Sequence, residues 1–220
     1  STPWLLAVSK PGGLNVEHLP RYPSVQDWAV EYTRRPGATK EPYIGIIHRL
    51  DRPTSGLVLL AKRKTALVDL QGQFSRREVR KTYLALTRTP LPDAKGRLQH
   101  YLLKDNLNHR THVATRPGGG AREAVLDYEA LPPPSGNSSL YAYLIRPHTG
   151  RYHQIRAQLA ALGSPIAGDA TYHDPLPWDA DSGIALHAYS LAFTDPQSGK
   201  RQLLTAPPPP HWPKLELEKI

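Results

Sequence analysis

The chain has 220 residues, enough for one substantial core, and its 39% hydrophobic and 21% charged residues exclude a disordered polypeptide. It has no cysteine, which excludes disulfides, thiolate nucleophiles and sulfur-bound zinc. The formal charge of +9 is one-sided, because residues 1–110 hold 19 Lys and Arg against 9 Asp and Glu, whereas residues 111–220 hold 9 against 10. Such asymmetry gives one face a positive potential that draws a polyanion, nucleic acid first among them; the alternative is a merely solubilising surface.

In chain order, the apolar opening Trp4–Val8 is too short for a membrane span or a signal core, and Lys10-Pro11-Gly12-Gly13 ends it. The expectation is a cytoplasmic protein without a membrane partner. Leu5 to Ser9 reads as a strand, and Ser24 as the cap of a helix running toward Tyr32. After a polar loop from Arg34 to Pro42, two apolar runs, Tyr43–Ile47 and Leu57–Ala61, flank HRLDRPTSG and place that polar segment at a sheet end. Ala66, Leu67, Leu70 and Phe74 predict an amphipathic helix over Lys64 to Phe74. Val79 to Thr87 alternates as a strand, with Lys81 and Tyr83 on one face.

Val125–Leu131 and Leu140–Ile145 predict a hairpin around PPPSGNSS. Arg151 to Leu162 predicts a helix with Arg151 in its first turn and Gly163 as its stop. Ile184–Phe193 is a further strand, and APPPP with Trp212 predicts an extended tail over residues 207–220 on the surface. Strands interspersed with a few helices predict one α+β domain over residues 1–220, with a largely antiparallel sheet. Neither GxGxxG nor GxxxxGK[ST] occurs, so no dinucleotide or triphosphate site is predicted.

Two segments can carry chemistry. In HRLDR, Asp51 lies between Arg49 and Arg52, where neighbouring cations favour its ionised form; it is either a nucleophile or base, or part of a structural ion pair. In HTGRYHQIRAQL, two arginines stand five apart, Arg151 at the predicted helix start and Arg156 within it. A guanidinium from this segment can bridge to a buried carboxylate, since its planar fork stays charged.

HRLDRPTSGLVLLAK (His48–Lys62), KTYLAL (Lys81–Leu86) and HTGRYHQIRAQL with GSPIAGDATY (His148–Tyr172) resemble motifs of the RluA family of pseudouridine synthases. VSKPGGLNV and ALHAYSLAFTDP resemble family segments as well, and the likeness runs from about Val8 to about Pro196 in the family's order. The resemblance implies a bent, mixed, mainly antiparallel sheet with flanking helices and a central cleft. It also implies no cofactor, no metal, and a uridine in RNA as substrate. By motif, Asp51 is the catalytic carboxylate, Tyr83 the active-site tyrosine and Arg151 the arginine that pairs with the aspartate, while Arg49 lies at the RNA-facing rim. Arg52, Lys62 and Lys81 are further candidate RNA contacts.

Two departures stand out: Tyr152 replaces a small Thr or Ser after the arginine, and Ala157-Gln158 replaces Val-His. The chain opens directly on the catalytic motifs, so the expectation is a monomer without an S4 module that takes a compact stem-loop of rRNA or tRNA and no DNA. A carboxylate pair is not needed, because the detached base is itself the acceptor and no water has to be activated. Competing readings are a metal-dependent nuclease using Asp51, Asp169, Asp179 and Asp181, a zinc site using His109 with His112 or His148 with His153, and a non-catalytic RNA-binding or chaperone module.

Overall fold

The computed structural model describes residues 1–137, 139–178 and 183–217. Strand β1 (Leu5–Lys10) pairs antiparallel with β3 (Ser55–Ala61), and the two-residue β2 (Gly45–Ile46) pairs with β3 as well. Every residue of β3 is buried because both of its faces are covered. Val58 and Leu60 pack with Val25 and Ala29 of helix α1 (Val25–Thr33), while Leu57, Leu59 and Ala61 pack with Ala66 and Leu70 of helix α2 (Lys64–Ser75). The strand alternation thus feeds two cores at once, with roughly 1.5–3 kcal/mol for each large apolar side chain buried. Ser24 caps α1 as expected, its hydroxyl accepting from the Asp27 amide at 3.1 Å.

The larger core lies under β4 (Arg80–Thr87), β7 (Arg122–Ala130), β8 (Tyr141–Pro147) and β9 (Leu186–Thr194). The hairpin of β5 (Lys95–Asp105) and β6 (Arg110–Ala114) extends this half, and β10 (Arg201–Thr205) returns beside β9. Among the described residues the order is β1-β3-β9-β4-β8-β7-β5-β6, with β2 on β3 and β10 on β9. All pairings are antiparallel except β3 with β9, which is parallel. The result is the mixed, mainly antiparallel α+β architecture that the sequence predicts.

Helix α3 (Gln154–Ala160) begins later than predicted, because His153 at φ 51° lies in the left-handed region and interrupts the turn before it. Arg151 therefore precedes the helix. At the other end Gly163, at φ 74°, donates to Ala160 O while Ser164 donates to Leu159 O, a Schellman closure. The predicted surface tail is corrected at Trp212, which is buried in the main core with its ring edge-on to His187 and Trp178. The sequence analysis missed β5, β6 and β10. Along β5 only Leu98 and Leu102 are buried, and β10 has no buried residue, so the apolar alternation that marks a half-buried strand is absent.

The two halves meet at the parallel join, where Ser55 faces His187 and Gly56 faces Ala188. Ala188 also faces Tyr83 on its other side, so Gly56, Ala188 and Tyr83 stand level across three strands. The buried His187 bridges the join, Nε2 donating to Ala206 O at 3.0 Å and Nδ1 accepting from the Ser55 hydroxyl at 2.9 Å. Gly56 has φ 114°, and a Cβ there would lie 2.4 Å from Ala188 O. Gly56→Ala is expected to destabilise the protein by more than about 2 kcal/mol in urea unfolding, and a loss under about 0.5 kcal/mol would refute the close-approach account.

Candidate active site

The loop between β2 and β3 presents Asp51, and three anchors hold it. His48 Nε2 accepts the Leu59 amide at 3.0 Å and its ring stacks on Phe74; burial pulls its pKa to about 3, so it stays neutral. The Thr54 amide donates to Asp51 O at 3.0 Å. Lys10, only 1% exposed, sends its ammonium to Pro11 O, Leu14 O and Arg52 O at 2.9, 2.9 and 3.0 Å, tying the residue after Asp51 to the end of β1. Burial draws the Lys10 pKa down to about 7, against the pull of the Asp51 charge. Sequence reasoning did not single out this lysine. Its signal was a cation closing an apolar strand just before Pro11-Gly12-Gly13, where a buried charge demands carbonyl partners.

The arginine that meets Asp51 is Arg156, not Arg151. Arg156 Nη1 lies 3.3 Å from Asp51 Oδ2, while Nε and Nη2 hold Asp169 side-on at 2.6 and 2.8 Å. Both members of this fork are buried, the side chains of Arg156 and Asp169 being 4% and 1% exposed, whereas that of Asp51 is 24% exposed. Burial works against the Arg156 charge, but the hydrogen bonds and charge of Asp169, followed by those of Asp51, raise its pKa and keep it cationic. Arg151 instead donates through Nε to Glu123 O at 2.9 Å at the cleft edge. The predicted pairing failed because the helix starts at Gln154, which moves Arg151 into the loop and puts Arg156 on the inner face of α3. The readable signal was a charged residue inside the wholly buried run Gln154–Leu159, which requires a carboxylate partner.

Burial raises the Asp51 pKa, and Arg156, Lys10 and Arg49 oppose that shift. His153 sits behind the carboxylate, Nε2 at 3.8 Å from Asp51 Oδ2. Its pKa is lowered to about 3 by burial and then by Arg156, so the ring is neutral. Tyr172 OH accepts the Thr111 amide at 2.8 Å and shares a hydrogen bond with His153 Nδ1 at 3.2 Å, which fixes the ring with Nε2 toward Asp51. Gln154 ties the preceding loop down, accepting from Thr149 Oγ1 and the Arg151 amide while donating to Val125 O.

Asp51, Arg156, His153 and Gln154 line a cleft of about 910 Å³, which is within the range of small-molecule sites. Lys81 and Tyr83 both line it, as their shared strand face predicts. Burial, followed by the Asp51 charge, pushes the Tyr83 phenol up, so the hydroxyl keeps its proton at neutral pH. Burial lowers Lys81 to about 8, and its ammonium is 3.4 Å from Thr149 O. Arg49 and Arg52 stand at the cleft, the first paired with Glu17 at 2.7 Å and the second donating to Gly13 O. Lys62 does not line the cleft; it follows the far end of β3 and donates to Thr2 O. Among the described residues no three His, Asp or Glu side chains converge as metal ligands, and Asp179 and Asp181 lie outside the described residues. No helix among the described residues is long and apolar enough to cross a membrane.

The family model described as RNA pseudouridylate synthase matches residues 5–161. Ribosomal large subunit pseudouridine synthase D of Nitrosomonas europaea is 34% identical over 217 residues, covering 93% of this chain and 60% of the relative. Dual-specificity RNA pseudouridine synthase RluA of Pasteurella multocida is 33% identical over 204 residues, covering 92% of this chain and 89% of the relative. Human RNA Pseudouridylate Synthase Domain Containing 1 shares the fold at a TM-score of 0.77 and 24% identity, over 95% of this chain and 82% of that structure. Beside the first curated relatives, this chain spans 56% to 64% of their length.

The two aspartates on Arg156 should respond differently to neutralisation. Asp169→Asn leaves a buried guanidinium short of its partner and is expected to cost about 3–5 kcal/mol. Asp51 has a folded pKa above its unfolded value, so its ionised form costs stability once pH exceeds the unfolded pKa, and Asp51→Asn removes that cost. Thermal melts at neutral pH should show Asp169→Asn well below the parent and Asp51→Asn at or above it. The reverse order would refute the division of labour.

Proposed function

This chain belongs to the RNA pseudouridylate synthase family, and we propose that it isomerises uridine to pseudouridine in structured RNA with Asp51 as the reacting carboxylate. The observation that carries the proposal is the single accessible carboxylate held by a buried arginine, in a cleft it shares with a protonated tyrosine. Isomerisation breaks the N1–C1′ bond, turns the uracil within the cleft and joins C5 to C1′; the C5 proton leaves and N1 regains one. Asp51 either adds to C1′ or removes the C2′ proton, and both routes start from its ionised form. Arg156 sustains that form and orients it, while Asp169 orients Arg156, so the two carboxylates have separate tasks.

Tyr83 acts first through its ring, on which the uracil stacks while detached. Its hydroxyl is held protonated partly by the Asp51 charge, and that contribution disappears once the carboxylate is consumed as an ester or by a proton. The Tyr83 phenol is therefore easier to ionise late in the reaction than at its start, and only the phenolate so formed can take the C5 proton. The target uridine must leave its stack, at roughly a few kcal/mol, least in a loop. This points to a loop in folded RNA, and the names of the curated relatives put ribosomal large-subunit RNA first among the substrates to be tried. Arg49, Arg52, Lys104 and Arg151 around the cleft are suited to the flanking phosphates, and the chain acts as a monomer on one stem-loop.

Incubation with unmodified ribosomal and transfer RNA transcripts, followed by chemical labelling and primer extension, tests the reading. Pseudouridine is expected at discrete sites with the parent and at none with Asp51→Asn. Arg156→Lys is expected to lose at least about a hundredfold in kcat, since an ammonium cannot hold both aspartates, and Arg151→Ala is expected to lose less. RNA binding without pseudouridine from any transcript would move the reading to a non-catalytic RNA-binding module.

Because the Asp51 pKa is raised and its ionised form reacts, the rate should climb through a pKa above the ordinary carboxylate range and then level off. A rate that is flat down to the ordinary range would contradict the buried-carboxylate account. Four phosphate contacts predict affinity falling about a hundredfold between 50 and 200 mM salt, whereas a flat dissociation constant would remove the electrostatic contribution.

A further inference from the structure

Resting on the function proposed above, we propose that Tyr152 is a stacking platform for the base of the nucleotide next to the target uridine, and so a residue that sets sequence preference. Tyr152 is 39% exposed, and its ring lies at the rim of the cleft, where a base can reach it. One of its faces stacks on the His153 imidazole at 3.8 Å between centroids and 21° between planes. His153 is buried and its other ring nitrogen faces Asp51, so the layers run from the reacting carboxylate through His153 to Tyr152 and then outward. A base added to the outer face of Tyr152 would lie one ring beyond His153, at the rim of the cleft that holds Asp51.

The platform is pre-organised. The Tyr152 hydroxyl donates to His109 O at 3.3 Å, and its carbonyl accepts from Thr111 Oγ1 at 2.8 Å, so the β5–β6 hairpin holds it from both ends. The hairpin turn is itself braced by the Asp105 carboxylate, which accepts from the Leu107 and Asn108 amides. A ring already fixed in place loses little freedom when a base lands on it. The face not covered by His153 meets the Lys104 ammonium at 4.8 Å from the ring centroid. Lys104 is exposed, and an exposed cation over a ring is a weaker partner than a nucleobase stacked on it. An incoming base therefore displaces the ammonium, which remains within reach of that nucleotide's phosphate.

The test uses an RNA hairpin with a uridine-containing loop and 2-aminopurine, whose fluorescence is quenched by stacking, beside one uridine. Parent protein is expected to quench it on binding. Tyr152→Ala is expected to bind on the order of tenfold more weakly and to lose the protein-induced quenching, whereas Tyr152→Phe keeps the ring and the quenching. If Tyr152→Phe falls as far as Tyr152→Ala, the hydroxyl strap to His109 is what matters and the platform is overturned. Unchanged affinity and quenching in Tyr152→Ala overturns it too. Quenching is read without turnover, so a protein that stacks the probe yet forms no pseudouridine fails the functional reading and not this one.

Discussion

A buried guanidinium shared between two carboxylates organises this molecule. Arg156 cannot remain charged inside a helix packed on every side unless an anion meets it, and Asp169 does so with two short hydrogen bonds. That fork consumes two of the three nitrogens and fixes the third, Nη1, toward the cleft, where it finds Asp51. The segment around Asp169 must accordingly lie against α3, and the loop between β2 and β3 must close over both. Lys10, His48 and Thr54 each fasten that loop by a different kind of bond, so the Asp51 carboxylate is held by its main chain on one side and its charge partner on the other. Holding a reactive group through locked neighbours is what preserves its geometry when substrate arrives.

The electrostatics follow from where water is kept out. Burial raises the Asp51 pKa, and three cations pull the other way without being consumed by it: Arg156 is shared, Lys10 is spent on carbonyls and Arg49 is paired with Glu17. The carboxylate is met by one hydrogen-bonding cation and stays open to the cleft, an arrangement suited to a nucleophile or base. His153 and His48 are neutral for the same reason, so the cations that act within the cleft are arginine and lysine.

Much of this was readable in the sequence, for physical reasons that differ residue by residue. That Asp51 and Tyr83 would share a cleft was legible because each sits in a short motif on an apolar strand or next to one, where periodicity fixes the direction of a side chain. The parallel contact of β3 with β9 was not foreseen, since two residues of pairing leave no trace in an apolar pattern. Arg156 was in view but lost to Arg151, because one left-handed residue, His153, shifts the helix start by three positions and no propensity marks that shift. Lys62 was grouped with the cleft by its charge, yet a seven-residue strand carries it roughly 20 Å away from the loop that bears Asp51. Trp212 was hidden by the prolines before it, which speak for an extended backbone and say nothing about where an aromatic ring goes.

Ala188 faces Gly56 on one flank and Tyr83 on the other, so the strand that receives the Asp51 loop and the strand that carries the tyrosine are separated by one strand and no more. Hydrogen-bonded strands keep a spacing of about 4.8 Å, and two such steps make about 10 Å. The working gauge between the carboxylate side and the aromatic side is therefore set by the lattice of the sheet and not by the side chains that line it. A change deep in β9 would therefore alter the spacing between the two sides without replacing any side chain of the Asp51 loop or of β4.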